Sequence, residues 1–158
     1  MRLAMLGMAS AILVGCEDTR MIDVCTEIAR AASVDPSTVS INGTQVTRAA
    51  LNEDDISRIR AQEWPEGAPP ALDELLTVLR ASEDYDPSHT FVVVDYTEGQ
   101  AAYRRRGKTL CRYVDYLGGR VQLFSVTIQD RDLTGMDLGM ALDTMGYPPG
   151  LDIMRRLE

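Results

Sequence analysis

TLCRYVDYL, at residues 109–117, sets Leu110, Arg112, Val114 and Tyr116 in alternation with Cys111, Tyr113 and Asp115. That two-residue period marks a strand with two distinct faces, because successive side chains leave a pleated backbone on opposite sides. Two neighbouring runs share its richness in β-branched and aromatic residues: TFVVVDY at 90–96 and VQLFSVTIQ at 121–129. Glycine-containing connections separate the three, and Gly118-Gly119 suits a tight hairpin between the second and the third. Three antiparallel strands are expected.

Further upstream the period becomes that of a helix. Met21, Cys25, Ile28 and Ala32 recur at helical spacing with Asp23, Glu27 and Arg30 between them, which predicts an amphipathic helix over about 20–32. It stops near SVDPS, where Pro36 forces Asp35 out of helical geometry. TVSING reads as extended and ends in an Asn42-Gly43 turn. Asn52 followed by Glu53, Asp54 and Asp55 opens a helix to about Gln62, with Asn as cap and acids at the positive end of the dipole. EWPEGAPP is a loop whose Pro69-Pro70 leads into a short helix striped by Leu72, Leu75, Leu76 and Leu79, and SEDYDPSH is another loop.

Downstream, Thr134 to Met145 reads as a helix stopped by Gly146 and the Pro148-Pro149 pair, followed by a last amphipathic turn with Leu151, Met154 and Leu157. The pieces predict an α+β domain. An antiparallel sheet of three to four strands packs against the N-terminal helix, with inserted short helices at about 52–82 and a C-terminal helical tail at about 134–158.

The chain has 158 residues and a net charge of −8, with Lys+Arg 16 against Asp+Glu 24. Its length fits one domain able to bury a core without metals, and no cofactor is expected. The acidic balance argues against a nucleic-acid partner, since phosphate contact needs a broad basic face.

Residues 1–16 read MRLAMLGMASAILVGC: a positive start, about a dozen mostly apolar residues, then small residues leading to a cysteine. A secretory signal has this layout, and its apolar run falls short of the ~20 residues a permanent membrane helix needs. Leu13-Val14-Gly15-Cys16 resembles the lipobox of bacterial lipoproteins. The resemblance implies a signal peptide over 1–15, cleavage behind Gly15, and diacylglycerol on the sulfur of Cys16. It places residues 16–158 in the cell envelope, lipid-anchored with the domain in the periplasm, and makes the membrane the first partner. Two or three acyl chains on one cysteine hold effectively permanently, each buried methylene contributing about 0.8 kcal/mol. Two other readings stand beside it: a buried first element of a cytosolic protein, and an export signal cleaved without lipid.

Three cysteines leave one over in an exported protein. If lipid consumes Cys16, then Cys25 on the helix and Cys111 in the strand remain as one disulfide pair, with two separate buried thiols as the competing view. CTEIARAASVDPSTVSI, followed far downstream by VVVDYTEGQAAYRRRGKTLCRYV, resembles a group of small exported bacterial proteins of unknown function. In that group an early helix carries one cysteine and the central hairpin the other, so the resemblance implies a fold and no activity.

Four constellations can carry chemistry. His89, the only histidine, has neither a nucleophile-elbow motif nor a second zinc ligand of its own kind, and reads as a solvated loop residue. Asp130, Asp132, Thr134 and Gly135 match the first positions of a calcium loop, but Ala141 stands where a bidentate acid belongs, so a strand-to-helix corner capped by Asp132 or Thr134 is preferred and no metal is expected. YRRRGK is the one basic cluster, and Arg104, Arg105, Arg106 and Lys108 on a hairpin connection can bind anions or a partner's carboxylates, or simply be solvated. Trp64 either anchors a partner or folds back as a lid, and Met136, Met140, Met145 and Met154 read as core packing.

These features lead to an envelope binding or assembly module, uncertain as an enzyme, with an envelope protein as its expected partner. A periplasmic hydrolase or hydrolase inhibitor is one rival, and a phage-derived outer-membrane lipoprotein another. A pocket holding two acids of displaced pKa favours the enzyme; an apolar patch near Trp64 or the tail favours the partner.

Overall fold

The computed structural model describes residues 16–100, 103–119 and 121–146. The expected signal peptide at 1–15, the side chain of Cys16 and the expected turn at 151–157 lie outside the described residues. The chain is α+β, with an antiparallel sheet packed against its N-terminal helix. The elements run α1 (Cys16–Ala31), β1 (Ser40–Ala50), α2 (Glu53–Glu63), α3 (Pro70–Arg80), β2 (Ser88–Glu98), β3 (Arg105–Asp115), β4 (Gln122–Ile128), β5 (Arg131–Thr134) and α4 (Gly135–Thr144). Five strands lie in chain order, β1-β2-β3-β4-β5, so the sheet is a meander interrupted once by the α2–α3 insertion.

Five strands exceed the expected three to four, and the surplus lies at the two edges. Asn42-Gly43 makes no turn: the β1–β2 register slips between Ile41 and Gly43, a bulge, and β1 continues to Ala50. An edge strand with largely bare faces needs no apolar alternation, which is why TQVTRAA gives no strand signal of its own. At the other edge Gln129 and Asp130 take positive φ of 49° and 67°, as a two-residue type I′ hairpin demands, and fold β5 back onto β4. Thr134 stands at the N-cap position of α4 but its side chain makes no capping bond, and Asp132 accepts from the Thr127 hydroxyl across the hairpin. Neither residue caps α4 as the sequence suggested.

Alternation divides the sheet into two faces. From one, Val92, Val94, Tyr96, Cys111 and Tyr113 meet Met21, Val24, Cys25 and Ile28 of α1, and Leu133, Leu138 and Leu142 extend the layer beneath α4. Cys25 and Cys111 form a disulfide with a Cα–Cα separation of 5.9 Å, and the Tyr113 hydroxyl donates to the Met21 carbonyl at 2.9 Å. The Tyr96 ring lies over its cross-strand partner Gly107, where a Cβ would come within 2.4 Å of it, so only glycine admits the ring there.

The other face is covered at one end only. There Val114, Tyr116 and Phe124 pack with Leu51, with Ile56 and Ile59 of α2, and with Leu72 and Leu76 of α3. Asn52 caps α2 as predicted, accepting from the Asp55 N–H at 2.9 Å, and the Asp55 side chain accepts in return from the Asn52 N–H, a reciprocal box. Phe91, Val93 and Leu110, farther along this face, remain half-buried.

Candidate functional site

Helix α1 orients the molecule. Asp18, near its start, pairs with Arg48 at 2.5 Å beside the end of β1, while Val34, just past its end, donates its N–H to Glu98 at 3.3 Å. The helix has 16 residues and a length of about 24 Å at 1.5 Å per residue. Cys16 and the basic cluster therefore stand at opposite ends of the fold.

At the far end the site is built around a buried carboxylate. Glu98, at the end of β2, is 6% exposed; one oxygen accepts from Arg105 Nε at 2.9 Å and Nη2 at 2.6 Å, the other from the Val34 N–H. A forked guanidinium on one carboxylate is among the stronger charge-assisted arrangements. It bounds a groove of about 290 Å³ floored by Thr38, Glu98 and Gly99. Val34 and Tyr103, 89% and 88% exposed, form its apolar rim.

The basic cluster is on β3 rather than on the connection. Only Arg104 precedes the strand; Arg105, Arg106 and Lys108 lie in it. Arg105 is spent on Glu98, and Lys108 faces Asp95 at 3.6 Å. Among the described residues Arg104 and Arg106 meet no carboxylate, so the four cations reduce to two available ones. Arg106 and Lys108 border a second groove, of about 480 Å³, with Leu110, Thr127 and Asp130.

Met136 and Met140 depart from expectation, and Met154 lies outside the described residues. Leu138 and Leu142 supply the core side of α4, and Met136 and Met140 are 81% and 56% exposed. Met140 and Met145 line a groove of about 520 Å³ with Ala32, Ile128, Leu133 and Ala141. In a ten-residue helix, side chains three and four apart share a face, so Leu138 with Leu142 claims the core and turns Met136 and Met140 outward. Flexible thioether side chains on a bare helix face adapt readily to apolar partners.

At the near end polar groups are buried under the insertion. His89 is 7% exposed, not solvated as expected; its Nδ1 accepts from Arg112 Nε at 3.1 Å and Nη2 at 2.8 Å, which places the proton on Nε2, 3.9 Å from Asp55. Arg112 also lies over the Phe124 ring, 4.9 Å from its centroid. Burial and the neighbouring guanidinium hold His89 below its ordinary pKa. Glu63 accepts from the Tyr116 hydroxyl and from Gln122; burial pushes its pKa up, those hydrogen bonds opposing, and burial likewise pushes Tyr116 up. Asp55 is held low, mainly by its backbone bond at Asn52. Trp64 closes α2, half-buried against the insertion's core, its N–H donating to the Arg60 carbonyl.

Glu63 and Asp55 line neither the Val34–Tyr103 groove, the Arg106–Lys108 groove, the Met140–Met145 groove nor a further one beside Tyr85 and Gly118. Nor, among the described residues, do three or more His, Cys, Asp or Glu side chains converge as metal ligands. Asp130, Asp132 and Thr134 are strung along a hairpin turn and β5, not gathered in a loop. Glu98 and the His89–Arg112 contact escaped sequence reasoning because strand register brings them together; alternation alone would have put Arg112 on the face opposite Cys111. No family model matches the chain, and no curated protein or solved structure is similar to it.

Proposed function

We propose that the chain is a membrane-anchored bacterial envelope lipoprotein whose α+β domain acts as a binding or assembly module. The supporting observation is the cysteine pairing. Cys25 and Cys111 are bonded to each other, which leaves Cys16 as the third cysteine, at the first residue of α1 and directly behind the apolar leader. A thiol so placed is the group that a lipidating enzyme reads and a signal peptidase exposes as a new amino terminus. With no spacer between Cys16 and α1, an acyl anchor sets the domain directly on the bilayer by its near end. The Val34–Tyr103 rim and the two uncompensated arginines then face away from that membrane, toward a partner rather than toward the lipid headgroups around the anchor. Exposed Met136 and Met140 favour a partner over a substrate.

Intact-mass spectrometry of the protein from bacterial membranes tests this. The expected species begins at Cys16 and carries diacylglycerol. A species retaining Met1 and bearing no acyl group overturns it.

A further inference from the structure

Strand β1 is the long edge of the sheet, and all of its residues but Ile41 and Val46 are exposed. Its free side can be assigned from one hydrogen bond. The Leu51 N–H donates to the Pro87 carbonyl at 2.8 Å, on the β2 side, so the two-residue alternation of an antiparallel ladder turns the N–H and C=O of Thr44, Val46, Arg48 and Ala50 outward. Unprotected edges invite another strand, and proteins blunt them by brevity, charge, proline or a bulge. The opposite edge is blunted: β5 has four residues, carries Arg131 and Asp132, and runs into α4. β1 has eleven residues and no proline or lysine; its bulge lies at one end, leaving 43–50 regular, and its single charge, Arg48, is held by Asp18.

We propose that β1 pairs with β1 of a second copy of this chain, antiparallel about a twofold axis through Val46, joining two five-stranded sheets into one. Two observations favour a second copy over a foreign strand. The pairing sets Thr44 of one copy against Arg48 of the other and Val46 against itself, so from Thr44 to Arg48 outward-turned residues meet outward-turned residues and donors meet acceptors. The chain carries −8, so most of its surface repels its own copy, whereas residues 43–50 form a strip without net charge once Asp18 offsets Arg48. The inference goes beyond the lipoprotein reading and does not depend on how Cys16 is modified.

The test uses the full chain carrying Cys16→Ser, so that an introduced cysteine is the only thiol outside the Cys25–Cys111 disulfide. In Val46→Cys the new thiols face each other across the axis at a Cα separation of about 5.5 Å, within disulfide range. In Ala50→Cys they are about 26 Å apart at eight residues of strand. Mild oxidation is expected to cross-link the first and spare the second. In sedimentation, Thr44→Pro removes an outward N–H and no inner ladder bond, and should weaken the dimer about tenfold or more while leaving circular dichroism, and melting of the dilute monomeric chain, unchanged. A wild-type chain that stays monomeric up to about 1 mM overturns the proposal. Equal cross-linking of both cysteine variants, or a dimer indifferent to Thr44→Pro, overturns it as well.

Discussion

The two faces of the sheet are stabilised by different means. Beneath α1 the layer is apolar and carries a covalent bond, which closes a loop of 86 residues that includes β1, the whole α2–α3 insertion and β2. Beneath α2 and α3, leucine and isoleucine contacts are joined by the surface pairs Arg60–Asp73 and Arg80–Glu53, each contributing at most about 1 kcal/mol, and by the polar contacts of Glu63 and His89. α1 approaches β2 and β3 closely, while the insertion meets the sheet chiefly through side chains. The α1–sheet unit should therefore be the last to open and the insertion the first, since local opening follows the density of buried apolar contact.

The largest effect comes from removing what only one face has. Replacing Cys25 and Cys111 together by alanine should lower global stability by about 4–5 kcal/mol in the chain-entropy description, read as a shift in the urea midpoint. A loss below about 1 kcal/mol would mean that apolar packing, and not the disulfide, sets the faces apart.

A smaller and more local effect is expected on the other face. Leu76→Ala leaves a cavity between α3 and the sheet costing about 2–5 kcal/mol, but its cost should appear in the insertion alone. Native-state hydrogen exchange should quicken at residues 53–80 and stay constant in β2 and β3. If exchange in both strands quickens equally, the layers form one cooperative unit and the contrast is lost.

The same contrast governs what could be read from the sequence. Strands β2, β3 and β4 and helix α1 were legible because each buries one side in the layer between α1 and the sheet, where burial imposes a period of two or of 3.6. Helices α2 and α3 were legible from punctuation, the Asn52 cap and the Pro69-Pro70 start. Most of β1 and all of β5 were not: β1 sends only Ile41 and Val46 against the apolar layer and β5 only Leu133, too few to show a period, and the backbone pairing that holds the rest leaves no residue-type signature. The cysteine pair was legible by counting. The burial of Glu98 and His89 was not, since a charge or an imidazole enters an interior only where register supplies its partner.

The smallest effect is also the most selective for the insertion face. His89 is buried beneath α2 with Nδ1 already accepting from Arg112, so a second proton would remove that acceptor and add a positive charge beside a guanidinium; Asp55, at 3.9 Å, offsets only part of this. Its folded pKa thus lies below 6.5, and the unfolded chain takes up the proton first as pH falls. The stability it contributes is complete above pH 6.5 and lost as pH falls from there through the folded pKa. Asp55, depressed from 3.8, keeps its contribution through that window and loses it only in stronger acid. Glu63, raised from 4.5, acts in the opposite sense: its contribution is complete below 4.5 and lost as pH rises through its folded value. The difference between wild type and His89→Gln cancels both carboxylates. In urea titrations at about pH 7.5 and 5.5, wild type should lose stability relative to the variant on acidification. Hydrogen exchange should place that loss in α2 and at the start of β2, whereas parallel curves for the two proteins would show the imidazole to be as free to take a proton in the folded chain as in the unfolded one.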